Sequence, residues 1–296
     1  MSAKKKPGQD LVRFDWALKR LLRNKANFDV LEGFISVLTG EKLSIKNMGE
    51  SESNRLYAED KFNRVDIRAE NDRNEVFIIE IQISSEVDYF HRMLYGASKA
   101  AVELVSGDDY GKIRKIYHIN IVYFELGQGR DYVYHGRNDF YGIHCHDLLQ
   151  LSETQKKRYL RVEAGDLFPE YYILRVDDFN NVAQDNLDQW IYYLKNNAIP
   201  EDFTAPGLAV AREKLLYGSL NEEEKEDYDH HREQRRYERS IITTSREEGR
   251  EEGREEERIK LSAELEEKDK TIEEKDKTIE EKEREIAELK SRLNLV

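Results

Sequence analysis

VDIRAENDRNEVFIIEIQIS, residues 65–84, sets Glu80 and Gln82 into an otherwise apolar run of Phe77, Ile78, Ile79, Ile81 and Ile83. The stretch reads as two strands, 62–70 and 75–84, joined by the polar turn NDRN. With the turn centred on Arg73, Asp66 falls opposite Glu80 and Arg64 opposite Gln82. Directly opposed residues share a face of the sheet, as do residues two apart on one strand. Asp66, Glu80 and Gln82 are then expected on one face, and Val65, Ile67, Ile79, Ile81 and Ile83 on the other. Opposed side chains have Cβ atoms about 4.5–5.5 Å apart. Two carboxylates that close repel each other unless one takes a proton or a cation lies between them. A hard divalent ion such as Mg²⁺ satisfies that need with oxygen ligands. A one-residue slip of the hairpin would separate the two acids.

Asp66 followed by Glu80-Ile81-Gln82 resembles the PD-(D/E)XK nuclease signature, in which a hairpin presents an aspartate and a (D/E)xK tripeptide to divalent metal. The wider chain, over residues 8–255, resembles the recombination-promoting nuclease family of transposase type. The resemblance is carried by FDWALKRLL (14–22), the DIRAEN and IIEIQ strands, FHRMLYGASK (90–99), INIVYF (119–124) and the repeated EEGR units of the tail. It implies an α/β fold with a restriction-endonuclease-like core, a mixed sheet flanked by helices, and Mg²⁺-dependent cleavage of DNA that promotes recombination. It implies Asp66 and Glu80 as metal ligands, with the main-chain carbonyl of Ile81 as a third, and Gln82 as the group that orients the attacking water. A further acid from the first helix is implied as a ligand; Asp15 is preferred over Glu32. Two positions depart from the pattern: Val65 stands where the motif has proline, and Gln82 where it has lysine. Lysine both orients water and offsets negative charge, whereas glutamine only orients. A module that binds DNA or assembles without cleaving it is the alternative that this change raises.

Other segments extend the reading. Leu11, Phe14, Leu18, Leu21 and Leu22, then Val30, Leu31, Phe34 and Leu38, recur at helical spacing, and Gly40 closes the second helix. Further strands are expected at 43–48, 115–124, 132–135, 141–148 and 171–179. After the hairpin a helix runs to about Val105, with Ser85 as its cap and Val87, Phe90, Leu94, Ala97, Ala101 and Leu104 as its buried stripe. Arg92, Tyr95 and Lys99 then share the opposite face, where they suit a DNA backbone. The first 25 residues carry eight Lys/Arg, Lys19 among them, against Asp10 and Asp15, which suits a polyanion. His144-Cys145-His146 reads as ordinary strand residues rather than a zinc site, since no second ligand pair follows at a suitable spacing.

The tail differs in kind. Residues 221–296 hold 27 acidic and 18 basic side chains, a net of −9 out of the chain's −13. Leu265, Ile272, Ile279, Ile286 and Leu293 recur every seven residues, while the second seam position reads Leu261, Lys268, Lys275, Lys282, Leu289 and Val296. That is a long charged helix with a weak coiled-coil seam, suited to self-association. The expected organisation is a nuclease-like domain over 1–185, a helical extension over 186–240 and a charged tail over 241–296. A single cysteine, Cys145, argues for a reducing, cytoplasmic setting. No apolar run reaches the length of a membrane span.

Overall fold

Six strands form one mixed sheet in the computed structural model, which describes residues 11–50, 64–103 and 110–293. The strands are β1 (Ile45–Glu50), β2 (Arg64–Asn71), β3 (Val76–Gln82), β4 (Ile116–Val122), β5 (Val133–Gly136) and β6 (Glu170–Arg175). Their order across the sheet is β1-β2-β3-β4-β6-β5, with β3, β4 and β6 parallel and the other neighbours antiparallel. Helices α1 (Phe14–Arg20), α2 (Phe28–Thr39) and α3 (Tyr89–Glu103) precede β4. The chain continues with α4 (Glu153–Tyr159), α5 (Asn186–Asn196), α6 (Leu208–Lys214) and α7 (Glu222–Leu293). Gly40 ends α2 at φ 73°, a conformation glycine adopts without steric cost.

The hairpin register follows from its turn. The Asn71 side-chain oxygen accepts the main-chain N–H of Arg73 at 3.1 Å and of Glu75 at 2.8 Å. Asn74 takes the left-handed conformation at φ 59°, which asparagine tolerates. This tight loop pins Glu70 opposite Val76, and the ladder runs on through Asp66 opposite Glu80 to Arg64 opposite Gln82.

The two faces of the sheet divide by parity. Phe77, Ile79, Ile81, Tyr117, Ile119 and Ile121 enter the main core, against Phe14, Phe34, Trp190 and Tyr193. Trp190 and Tyr193 come from α5, and Leu208 and Ala211 of α6 join the same core, so the segment after residue 185 packs with the sheet. The first compact unit accordingly extends to His231, and a second begins at Arg232. The even positions of β3 and β4 face α3. There Val76, Ile78, Ile116 and Ala100 make one small apolar cluster, and Tyr89, Met93, Val122 and Leu126 another.

Three sequence expectations are corrected. The buried stripe of α3 is Tyr89, Met93, Ala97 and Ala100, while Phe90 and Leu94 are 52% and 58% exposed and Val87 is fully exposed. The helix begins at Tyr89, after Ser85 rather than capped by it. Leu104 and Val105 lie outside the described residues. The 141–148 segment is no strand: Tyr141 and Leu148 meet in an isolated bridge, and residues 143–145 form the turn between them. His144 and His146 therefore share no strand face; His146 sits at φ 54° in this exposed loop.

Candidate active site

Glu80 projects from β3 into the sheet face beneath α3, where it is 5% exposed. Its neighbours on that face are polar. His118 and Asn120 of β4 are fully buried, and the register sets His118 beside Ile78 and Asn120 beside Glu80. His118 Nε2 lies 3.4 Å from Glu80 Oε2, and His118 Nδ1 lies 3.1 Å from the Met93 carbonyl. Asn120 donates to the carbonyls of His118 and Tyr172 at 3.0 and 3.3 Å, and accepts from the Tyr89 hydroxyl at 3.2 Å.

This polar row explains the rotation of α3. Tyr89 must face inward for its hydroxyl to reach Asn120, and the Met93 main-chain carbonyl meets His118 on the same side of the helix. Gly96 faces inward as well, because a Cβ there would stand 3.1 Å from the His118 ring. Burying an unpaired amide or imidazole costs more than exposing Phe90 and Leu94, so the polar partners set the helix face.

Gln82 is also buried, and its amide is held in place. Nε2 donates to the Ser84 carbonyl at 3.2 Å and to Glu86 Oε1 at 3.0 Å. Glu86 in turn accepts two bonds from Arg92 Nη1, at 2.9 and 3.0 Å. Arg92 Nη1 lies 3.4 Å from Gln82 Oε1, and Arg92 Nη2 rests against Glu80 Oε1. The guanidinium also lies 5.8 Å from the centre of the Tyr89 ring. The cation beside Glu80 is thus an arginine of the same chain. Sequence spacing grouped Arg92 with Tyr95 and Lys99; the structure turns Arg92 toward Glu80 and leaves Tyr95 64% exposed, with Lys99 half-buried.

The remaining sequence candidates divide. Asp66 is the cross-strand partner of Glu80 in the backbone ladder, and its side chain lies outside the described residues. The Ile81 side chain is wholly in the main core, which leaves only its main chain for the site. Asp15 belongs to another cluster: it accepts from Arg13 Nε at 3.1 Å and from the Trp16 N–H at 3.0 Å, and lies 3.5 Å from His231 Nε2. Arg13 stacks over Tyr123, which packs against the main core. Burial draws the Arg13 pKa down, but Asp15 beside it prevails and leaves it raised. Glu32 accepts the Ile45 N–H at 2.7 Å and so anchors the start of β1. Lys19 lies half-buried in the last turn of α1. His118, Asn120, Tyr89 and Glu86 are site neighbours that the sequence reading does not single out.

The donor set suits a hard cation. Glu80 Oε1 is buried and makes no hydrogen bond of good geometry, Arg92 notwithstanding, and carboxylate and carbonyl oxygens are what Mg²⁺ prefers. Among the described residues no cluster of three or more His, Cys, Asp or Glu side chains could hold a metal, and Glu80 is the described carboxylate at this place. No helix among the described residues is long and apolar enough to cross a membrane.

Comparison with known families agrees with this architecture. The sequence model of the PD-(D/E)XK nuclease family transposase matches residues 12–245. No curated protein and no solved structure matches. The mixed six-strand sheet with flanking helices and a long C-terminal helix is consistent with the restriction-endonuclease-like fold. The chain belongs to the PD-(D/E)XK nuclease family transposases.

Proposed function

We propose that the protein is a divalent-metal-dependent DNA endonuclease whose cuts feed recombination. The observation that carries the reading is the hairpin register, which makes Asp66 the direct partner of Glu80. Asp66, Glu80 and the Ile81 carbonyl would hold Mg²⁺, which supplies Lewis-acid polarisation of the scissile phosphate and lowers the pKa of bound water. Gln82 orients the attacking water through its side-chain oxygen, while Glu86 and the Ser84 carbonyl fix the amide. The overall reaction consumes one water and breaks one P–O bond, giving an alcohol and a phosphomonoester. Tyr95, Lys99 and Lys19 lie on surfaces that suit the DNA backbone. The exposed Cys145 thiol fits a cytoplasmic setting.

The test is plasmid nicking in Mg²⁺ with wild type, Asp66→Ala and Glu80→Ala. Nicking by wild type alone supports the reading. Nicking that survives both substitutions removes the site. DNA binding with no cleavage under any divalent ion favours the non-catalytic module instead.

The tail supports a second proposal, self-association through α7. Leu265, Ile272, Ile279 and Ile286 are each 51–54% exposed on the single helix, at intervals of seven residues. Apolar residues at seven-residue intervals form one seam position of a coiled coil. Lys268, Lys275 and Lys282 at the other position are each followed by an acid, Asp269, Asp276 and Glu283, which a parallel partner's lysines would meet.

A further inference from the structure

We propose that Arg92 is the catalytic cation of the site, supplying from α3 the positive charge that Gln82 cannot supply from β3. This rests on the nuclease reading above and adds a residue to it. The motif's third residue has two tasks, to orient water and to offset charge as the phosphate is attacked. Glutamine performs only the first. The structure brings a guanidinium to the same place: Arg92 Nη1 is 3.4 Å from Gln82 Oε1, and Nη2 rests against Glu80.

Glu86 holds this cation in position. It accepts Arg92 at 2.9 and 3.0 Å with one carboxylate and takes the Gln82 amide at 3.0 Å with the same Oε1. Orienter and cation are therefore coupled through one acid. The Arg92 and Glu86 side chains are 16% and 24% exposed, against 6% for Glu80, so the Arg92–Glu86 pair forms the solvent side of the cluster. A phosphate entering from solvent meets the guanidinium before it meets Glu80. With Glu80 engaged in holding a divalent ion, its pull on Arg92 would be weaker. The guanidinium, still tethered to Glu86, is then available to a phosphate oxygen, for which its planar fork is suited.

The experiment compares wild type, Arg92→Gln, Arg92→Lys and the swap Arg92→Gln/Gln82→Lys, with Asp66→Ala as the dead reference. Cleavage is read by plasmid nicking, folding by thermal melts, and metal affinity by Mn²⁺ titration calorimetry. Arg92→Gln should lower cleavage about 100-fold or more, the scale of losing one preorganised charge-stabilising donor. It should also tighten Mn²⁺ binding, since the internal cation no longer competes for Glu80. Arg92→Lys should keep part of the activity. The swap should regain at least about tenfold over Arg92→Gln, because it returns the cation to β3. An Arg92 that only braces the fold predicts weaker Mn²⁺ binding in Arg92→Gln and no regain in the swap, and either result overturns the proposal. Undiminished cleavage by Arg92→Gln, with Asp66→Ala dead, overturns this assignment alone. A wild type that cuts nothing in any divalent ion overturns the nuclease reading and this proposal with it.

Discussion

His118 and Glu80 face each other across β4 and β3, with Nε2 3.4 Å from Oε2, and both are buried. The imidazole is fixed from its other side by the Met93 carbonyl at 3.1 Å. A ring anchored at Nδ1 sets its Nε2 beside the carboxylate and positions it, as the outer partners of metal-ligating groups commonly do.

His118→Ala should therefore reduce Mn²⁺ affinity or cleavage by about 10–100-fold, the range for loss of an outer-shell partner. Mn²⁺ titration and plasmid nicking measure it. A variant that melts cooperatively yet binds metal and cleaves like wild type would show that His118 only fills space.

Helix α2 and the turn at Pro206–Gly207 that leads into α6 pack so closely that a side chain is excluded at Gly33. A Cβ on Gly33 would stand 2.5 Å from Gly207 Cα and 2.7 Å from the Pro206 carbonyl oxygen. Gly207 itself sits at φ 83°. Replacing a helical glycine by alanine ordinarily stabilises a helix by up to about 1 kcal/mol. Here Gly33→Ala should instead destabilise by about 1–3 kcal/mol, the cost of overpacking against backbone. Urea unfolding measures the sign, and a stabilised variant would mean that the contact yields.

Acid should weaken the sheet through Glu70 of β2. Hydrogen bonding to Arg114 at 3.0 Å is the chief cause that lowers its pKa below the ordinary value of 4.5, with Arg68 adding to it. A carboxylate whose folded pKa is depressed stabilises the fold above its unfolded pKa, and that contribution is lost as pH falls through the folded value. Melting temperature should fall as pH drops below about 4.5, and the fall should be shallower in Glu70→Gln. Identical pH profiles for the two proteins would remove Glu70 from the account.

How much of this was legible in sequence depended on which forces decide each element. The hairpin register was legible because NDRN is short and asparagine turns have few geometries; Asn71 and Asn74 fix the pairing that the chain order suggests. The sheet, the first two helices and the seven-residue tail repeat were legible from apolar spacing. The rotation of α3 was not, because a reading of apolar stripes gives Phe90 and Leu94 to the core and cannot weigh the hydrogen bonds that Tyr89 and Met93 make instead. The signal for His118 and Asn120 was present: in HINIV they alternate with isoleucines as Glu80 and Gln82 do in IIEIQ. Two neighbouring strands with polar residues at matched inward positions mark a buried polar row. The 141–148 loop misled because Tyr141 and Ile143 have strand propensity, while its bridge closes around a turn.

Self-association has a direct check. Ile272→Asp/Ile279→Asp puts charge into the apolar seam of α7 and leaves residues 11–231 untouched. Sedimentation equilibrium should find the wild type as a dimer and the variant as a monomer at the same concentration. A monomeric wild type would retire the coiled-coil proposal.

In the proposed site Asp66 and Glu80, partners across β2 and β3, share one divalent ion. Crystals grown with Mn²⁺ test it by anomalous scattering. The account predicts a single strong peak within bonding distance of both carboxylates, lost in Glu80→Ala. A Mn²⁺ peak elsewhere, or density in which the two acids turn away from each other with no ion between them, would contradict it.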